Sequence, residues 1–212
     1  MTKLLLIRHG YSSGNKERRF SGQIDLPLSE QGVHQAELVC DYIQKNYKVD
    51  AIYASDLVRA VDTVKPLAAA LDLPISIYPE LREINEGVWQ GQLMTEVQER
   101  EPEAWARYKA NLGLYQFEGG ECYTTLLARL LPMIDRIVAE NPDKTVVIGT
   151  HGAVVRGLLS VWQGIPLERL LEVPRVPNGT VTEVEIDGDK VRIVKLGFGD
   201  YLEERTGVNG VD

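Results

Sequence analysis

The chain has 212 residues, is 44% hydrophobic and 25% charged, and carries a formal net charge of −8. That length suits one large domain, or one domain with an inserted cap, and it can bury a core without disulfide staples. An acidic whole excludes general nucleic-acid binding, which wants a basic face. It leaves room for a small anionic substrate, because a few arginines in a cleft set the local field.

The two cysteines, Cys40 and Cys122, are too few for a disulfide framework. The apolar run after the start is shorter than a signal peptide requires. No run approaches the ~20 residues of a membrane helix. These features point to a cytoplasmic protein with no membrane partner.

In chain order, Lys3 to Ile7 reads as a buried strand ending near Arg8. Residues 11–28 look like loop, with Ser12, Ser13, Gly14, Asn15, Gly22 and Pro27. Ser29 is placed to cap a helix over 30–47, with Val33, Ala36, Cys40, Ile43 and Tyr47 as its apolar stripe. Ala51 to Ala54 is a second strand, and Ser55 is placed to cap the helix that carries Leu57, Val61, Val64, Ala68 and Leu71. Ile75 to Ile77 is a third strand. Residues 84–125 differ, being polar, partly helical and rich in aromatics, and read as an insertion covering one end of the sheet. A helix over 121–140, a strand at Thr145 to Gly149 and a helix from His151 follow. The runs 179–186 and 190–196 flank Asp187-Gly188-Asp189, a hairpin signal. This order predicts an α/β fold: a mostly parallel sheet between helix layers, as one domain over 1–212 with a cap at 84–125.

Three histidines are present. His34 lies off its helix stripe and reads as a surface residue. His9 and His151 each follow a buried strand and each precede glycine, in Arg8-His9-Gly10 and Thr150-His151-Gly152. Ligands of open α/β sheets bind beyond the carboxyl ends of the strands, so both imidazoles aim at one crevice. Arg8 adjoins His9. Arg59 sits near a helix N-terminus, where a cation opposes the macrodipole and does not serve helix stability. Guanidinium forks match phosphate oxygens. No two histidines or cysteines have metal-ligand spacing, so no metal and no cofactor are expected.

These residues resemble the histidine phosphatase superfamily, the group that includes cofactor-dependent phosphoglycerate mutases. The likeness runs through Leu4-Leu5-Leu6-Ile7-Arg8-His9-Gly10, Asn15, Phe20-Ser21-Gly22 and Asp25-Leu26-Pro27-Leu28-Ser29. It continues in Ser55-Asp56-Leu57-Val58-Arg59-Ala60, Leu81-Arg82-Glu83 with Gly87, Trp89 and Gly91, then Gly119-Gly120-Glu121 and His151-Gly152. The resemblance implies that His9 is a nucleophile that becomes phosphohistidine. Arg8, Arg59 and His151 then hold the phosphoryl oxygens, and Asn15, the backbone near Gly22, and Gly152 complete that pocket. Glu83 is implied as the proton donor to the leaving alcohol and then the base for water; Glu86, close by, is the substitute. Neighbouring cations should lower the His9 pKa and keep it neutral for attack.

The chain departs from the common pattern at Tyr11, Ser12, Gln90 and Cys122, none of which removes a catalytic group. Tyr11 bears on substrate choice. Residues 84–125 hold three basic and seven acidic side chains, a balance of −4. That acidity favours a phosphatase acting on a small, singly phosphorylated metabolite over a phosphoglycerate mutase. A non-catalytic regulator that binds phospholigands is less favoured, since every catalytic position is filled. A protein phosphatase wants a more open cleft. Cys122 and Arg129 are separated by six residues, not the five of a cysteine phosphatase. The apolar sheet edges offer a surface for pairing two copies into a homodimer.

Overall fold

The computed structural model describes residues 1–202; residues 203–212, within the span expected for the domain, lie outside the described residues. Six strands form one sheet in the order β3-β2-β4-β1-β5-β6. The strands are β1 (Thr2–Arg8), β2 (Ala51–Ala54), β3 (Ile75–Ile77), β4 (Thr145–Thr150), β5 (Val181–Asp187) and β6 (Lys190–Phe198). The first four are parallel; β5 runs antiparallel to β1, and β6 antiparallel to β5. The Gly188-Asp189 turn joins the last two, as the hairpin signal predicts.

Alternation along β1 explains the three layers. Leu5 and Ile7 point to one face, where α2 (Glu30–Asn46) and α3 (Val58–Leu71) bring Val39, Ile43, Val64 and Leu67. Leu4 and Leu6 point to the other, against Leu126, Leu130, Val155 and Leu158 of α6 (Tyr123–Glu140) and α7 (Gly152–Trp162). A strand buried on both faces must be a continuous apolar run, and β1 and β4 are. Each buried Leu or Ile contributes about 1.5–3 kcal/mol relative to exposure.

Some local expectations change. Residues 13–17 are not loop but a short helix, α1 (Ser13–Glu17), capped by the Ser12 hydroxyl and the Asn15 side chain in a reciprocal box. Val33 is 50% exposed, so the buried stripe of α2 runs through Ala36, Val39, Cys40 and Ile43 instead. Ser29 caps that helix as expected, accepting from Gly32 N–H at 3.2 Å. Ser55 does not cap α3; it turns the chain one step earlier, accepting from Leu57 N–H, and the helix starts at Val58.

Residues 84–125 contain α4 (Met94–Arg100) and α5 (Pro102–Ala110). Their aromatics pack on one another: Trp89 contacts Phe20, Trp105, Tyr108, Tyr115 and Phe117, with ring centroids 5.0–6.4 Å apart. Such pairs each add about 0.5–1.5 kcal/mol beyond burial. No helix among the described residues is long and apolar enough to cross a membrane.

Candidate active site

Register builds the core of the site. β1 and β4 are parallel neighbours with Arg8 opposite Thr150, and His9 N–H donates to the Thr150 carbonyl at 2.9 Å. The two His-Gly corners therefore lie side by side, with imidazole centroids 5.2 Å apart. Both rings are buried, His9 5% and His151 0% exposed.

The His9 tautomer follows from one contact. Nδ1 lies 2.7 Å from the Gly10 carbonyl oxygen, which only accepts, so Nδ1 carries the proton. Nε2 is then the free lone pair. Burial, followed by the charges of Arg59 and Arg8, holds the His9 pKa well below the ordinary 6.5. The cations act in the expected direction, but desolvation is the larger cause. Burial and Arg59 depress His151 in the same way.

Orphaned polar atoms mark what the crevice is for. Both His151 nitrogens, Arg8 Nε and Arg59 Nε are buried without a hydrogen-bond partner among the described residues. The two guanidinium Nε–H groups and the one N–H of neutral His151 are unmet donors, each costing about 1–3 kcal/mol in a dry site, and a crevice holding them fits an anion. Both Nη groups of Arg59 and one of Arg8 are tethered to backbone carbonyls. Arg59 is 1% exposed and donates to the Gly22 and Ile24 carbonyls at 2.6 and 2.8 Å, and Arg8 donates to Val176 O at 2.6 Å. Asp56, three residues before Arg59, pairs with Arg82 through two bonds of 2.7 and 2.5 Å and leaves Arg59 to the crevice. Gly22 has φ +41°, a conformation that favours glycine, and a Cβ there would lie 2.1 Å from Gln90 Oε1 and displace that side chain.

Asn15 and Asn178 sit beside His9. Asn178 Nδ2 donates to the His9 carbonyl at 2.9 Å and lies 3.3 Å from Asn15 Oδ1, which also accepts from Ser12 N–H and Oγ. Glu83 approaches from the loop after β3. Its carboxylate accepts from Ile84 N–H at 2.9 Å and from Ala153 N–H, in the first turn of α7, at 3.1 and 3.2 Å. A Cβ at Gly152 would stand 3.3 Å from Arg8 Nε and 3.7 Å from Glu83 Oε2, so glycine here lets those two groups share one space.

Several site residues escape the sequence pattern. Arg129, notable in the sequence only for its spacing from Cys122, clamps the Glu83 loop. It donates to the carbonyls of Glu80, Arg82 and Glu83 at 2.7–2.9 Å and pairs with both Glu121 oxygens at 2.8 and 2.9 Å. Arg156 on α7 is 8% exposed with Nε unpartnered. Arg175, on the exposed loop before β5, lowers the Arg8 pKa through its charge, second to burial. Asn178 carries the only available hint, an Asn-Gly turn just before a strand.

No group of three or more His, Cys, Asp or Glu among the described residues is arranged to hold a metal. A separate groove of about 570 Å³ on the cap, lined by Trp89, Glu101, Arg107, Asn111 and Tyr115, contains neither histidine.

The family model described as "Histidine phosphatase superfamily (branch 1)" matches residues 4–198. Phosphoserine phosphatase 1 of Hydrogenobacter thermophilus is 28% identical, covering 96% of each chain. Phosphoglycerate mutase-like protein 4 of Arabidopsis thaliana is 32% identical, covering 95% of this chain and 87% of its own. Among solved structures, Bacillus stearothermophilus YhfR superimposes with a TM-score of 0.91 at 31% identity, covering 96% of this chain and all of that one. A mycobacterial glucosyl-3-phosphoglycerate phosphatase, solved with VO3, gives 0.83 at 28% identity over 90% of this chain and 96% of its own. With its paired His-Gly corners and a match across nearly the whole described chain, this protein belongs to the histidine phosphatase superfamily, branch 1.

Proposed function

We propose that the protein is a metal-independent, cytoplasmic phosphomonoesterase that hydrolyses a small phosphorylated metabolite through a phosphohistidine on His9. The observation that carries this reading is the His9 tautomer: Nδ1–H is tied to Gly10 O, which leaves Nε2 a neutral, unpartnered lone pair in the crevice that also holds the unpartnered atoms of Arg8, Arg59 and His151.

In the first step, Nε2 attacks phosphorus and the ester P–O bond breaks. The leaving oxygen takes a proton from the Glu83 carboxyl group. In the second, water attacks phosphorus, Glu83 takes its proton, and the P–N bond breaks to release inorganic phosphate. A covalent intermediate divides one hard displacement into two easier ones. The remaining demand is positioning and charge stabilisation, which Arg8, Arg59 and His151 supply.

Relatives named phosphoserine phosphatase and glucosyl-3-phosphoglycerate phosphatase support hydrolysis over phosphoryl transfer between sugars or acids. The acidic balance of residues 84–125 supports it too. The test is hydrolysis of p-nitrophenyl phosphate in chelator from pH 5 to 8 by wild type and His9→Ala. Turnover by wild type alone supports the reading; turnover only with added metal, or by both proteins, refutes it.

A further inference from the structure

Two loops from different parts of the chain carry the two sides of the crevice. The turn at 22–25 belongs to the phosphoryl side. Its Gly22 and Ile24 carbonyls aim Arg59. Its Asp25 carboxylate accepts from Val58 N–H at 2.6 Å, at the start of a helix whose own N-cap, Leu57, supplies no side-chain bond. The loop after β3 brings Glu83 to the other side. Arg129 fixes that loop to α6, but not to the 22–25 turn.

A pair of glutamines spans that gap. Gln90 follows the short helical turn Gly87–Trp89. Its Oε1 accepts from Gln23 N–H at 2.7 Å and, more weakly, from Glu86 N–H at 3.4 Å. Two backbone donors on one atom require that atom to be the amide oxygen. The Gln23 side chain completes the link, since its Nε2 donates to the Glu83 carbonyl at 3.1 Å. Gly22 makes room for the contact: a Cβ there would also lie 2.8 Å from Gln90 Cγ and Cδ. The Gln90 amide therefore rests on the backbone of the turn that aims Arg59. Backbone bonds flank the pair, with Phe20 N–H donating to Gln92 O at 3.0 Å and Gly91 N–H to Phe20 O at 2.7 Å. Those bonds hold the two segments together without help from either glutamine side chain. The glutamines reach one step further, to the residues around Glu83.

We propose that Gln90, together with Gln23, is a positioning residue that sets the Glu83 carboxyl against the phosphoryl group held by Arg59. This rests on the phosphatase reading and adds a residue that acts only through Glu83 and Arg59. Phosphorus and the leaving oxygen are bonded to each other in the ester, so the proton donor and the phosphoryl cradle must keep register. A misplacement of about 1 Å can cost roughly hundred-fold in rate.

The experiment measures kcat and KM in chelator for p-nitrophenyl phosphate and phenyl phosphate, whose phenol is the poorer leaving group, with circular dichroism to check the fold. Gln90→Leu keeps the bulk and removes the acceptor. It should lower kcat roughly ten-fold or more for phenyl phosphate and only about three-fold for p-nitrophenyl phosphate, with each KM within about three-fold of wild type. Gln90→Glu restores an accepting oxygen and should bring kcat back to within about three-fold of wild type. In a Glu83→Gln background, Gln90→Leu should no longer separate the two esters. A role in packing alone predicts that Gln90→Leu behaves as wild type. That result in a folded variant overturns the proposal, as do equal losses on the two esters or no recovery in Gln90→Glu; in each case turnover by wild type leaves the phosphatase reading standing. Should Gln90→Leu fail to fold, Gln23→Leu, which removes the bond to the Glu83 carbonyl, decides by the same comparison of esters. No turnover of either ester by wild type removes the phosphatase reading and this proposal together.

Discussion

The two sides of the crevice are built differently. The phosphoryl side comes from the ends of adjacent parallel strands: backbone register sets His9 beside His151, and a buried helix turn delivers Arg59. The leaving-group side is assembled from distant loops and helices: Glu83 and Glu86 after β3, Tyr108 on α5, Arg156 on α7 and Arg175 before β5. The first side is as rigid as the sheet, because moving it breaks core packing. The second depends on tethers such as the Arg129 clamp, so it can vary without disturbing the fold. Common chemistry with variable substrates is what that division predicts.

The sharpest way to break the comparison is on the rigid side. His9→Ala should keep its fold and lose activity by roughly 10⁴-fold or more, the scale of removing a nucleophile; circular dichroism and initial rates in chelator check both halves. Retained turnover in a folded variant would leave the strand-end histidines without their assigned work.

Glu83→Gln comes next. Kinetics should show a loss of about 10²–10⁴-fold for alkyl phosphates and much less for p-nitrophenyl phosphate, whose leaving group needs little protonation. Equal losses for both would remove the proton-donor role.

These large effects fall where the sequence is most readable. A fully apolar strand running into His-Gly, twice, announces the phosphoryl side, because the strand pattern and the ligand crevice are local consequences of one geometry. Arg156 hides in Gly152-Ala153-Val154-Val155-Arg156-Gly157-Leu158-Leu159, where one charge in an apolar helix reads as its solvent face. Arg175 stands in a loop with no period to set its direction. Arg129 looks like any helix-surface arginine until the Glu83 loop folds over it. Even α1 is obscured, because Ser, Gly and Asn read as loop although Ser12 and Asn15 form its cap. Tertiary contact decides the three arginines, and local pattern does not carry it.

Arg129→Ala sharpens the comparison at intermediate size. It removes three carbonyl tethers and the Glu121 pair, so kcat should fall about ten-fold with alkyl phosphates and less with aryl ones, following Glu83. A purely structural role would lower both substrates equally and leave that difference unmoved. Arg129→Lys should not restore it, since a point charge cannot span the same acceptors.

Two pH effects are smaller. Burial, Arg59 and Arg8 depress His9, so His9 stays neutral well below 6.5 and the acid limb of kcat/KM should lie below that value. Arg59→Gln removes one of the two cations and should move that limb upward. At Glu86 the folded-state pKa is raised, to about 8 from 4.5. Its contribution to stability is therefore complete below about pH 4.5 and is lost as pH rises through about 8. Glu86→Gln abolishes that titration, so its Tm relative to wild type should rise from pH 5 to pH 9. Glu86 keeps part of its surface open to solvent, so screening trims the gain to about 1–2 kcal/mol, or ~2–8 °C.

The most direct test of the account is rapid acid-free quenching of the wild-type enzyme during p-nitrophenyl phosphate turnover in chelator, with peptide mass spectrometry of the trapped protein. The account predicts one acid-labile phosphoryl group on His9, carried by Nε2. A phosphoryl group on any other residue, or turnover with no phosphorylated enzyme at any time point, would contradict it.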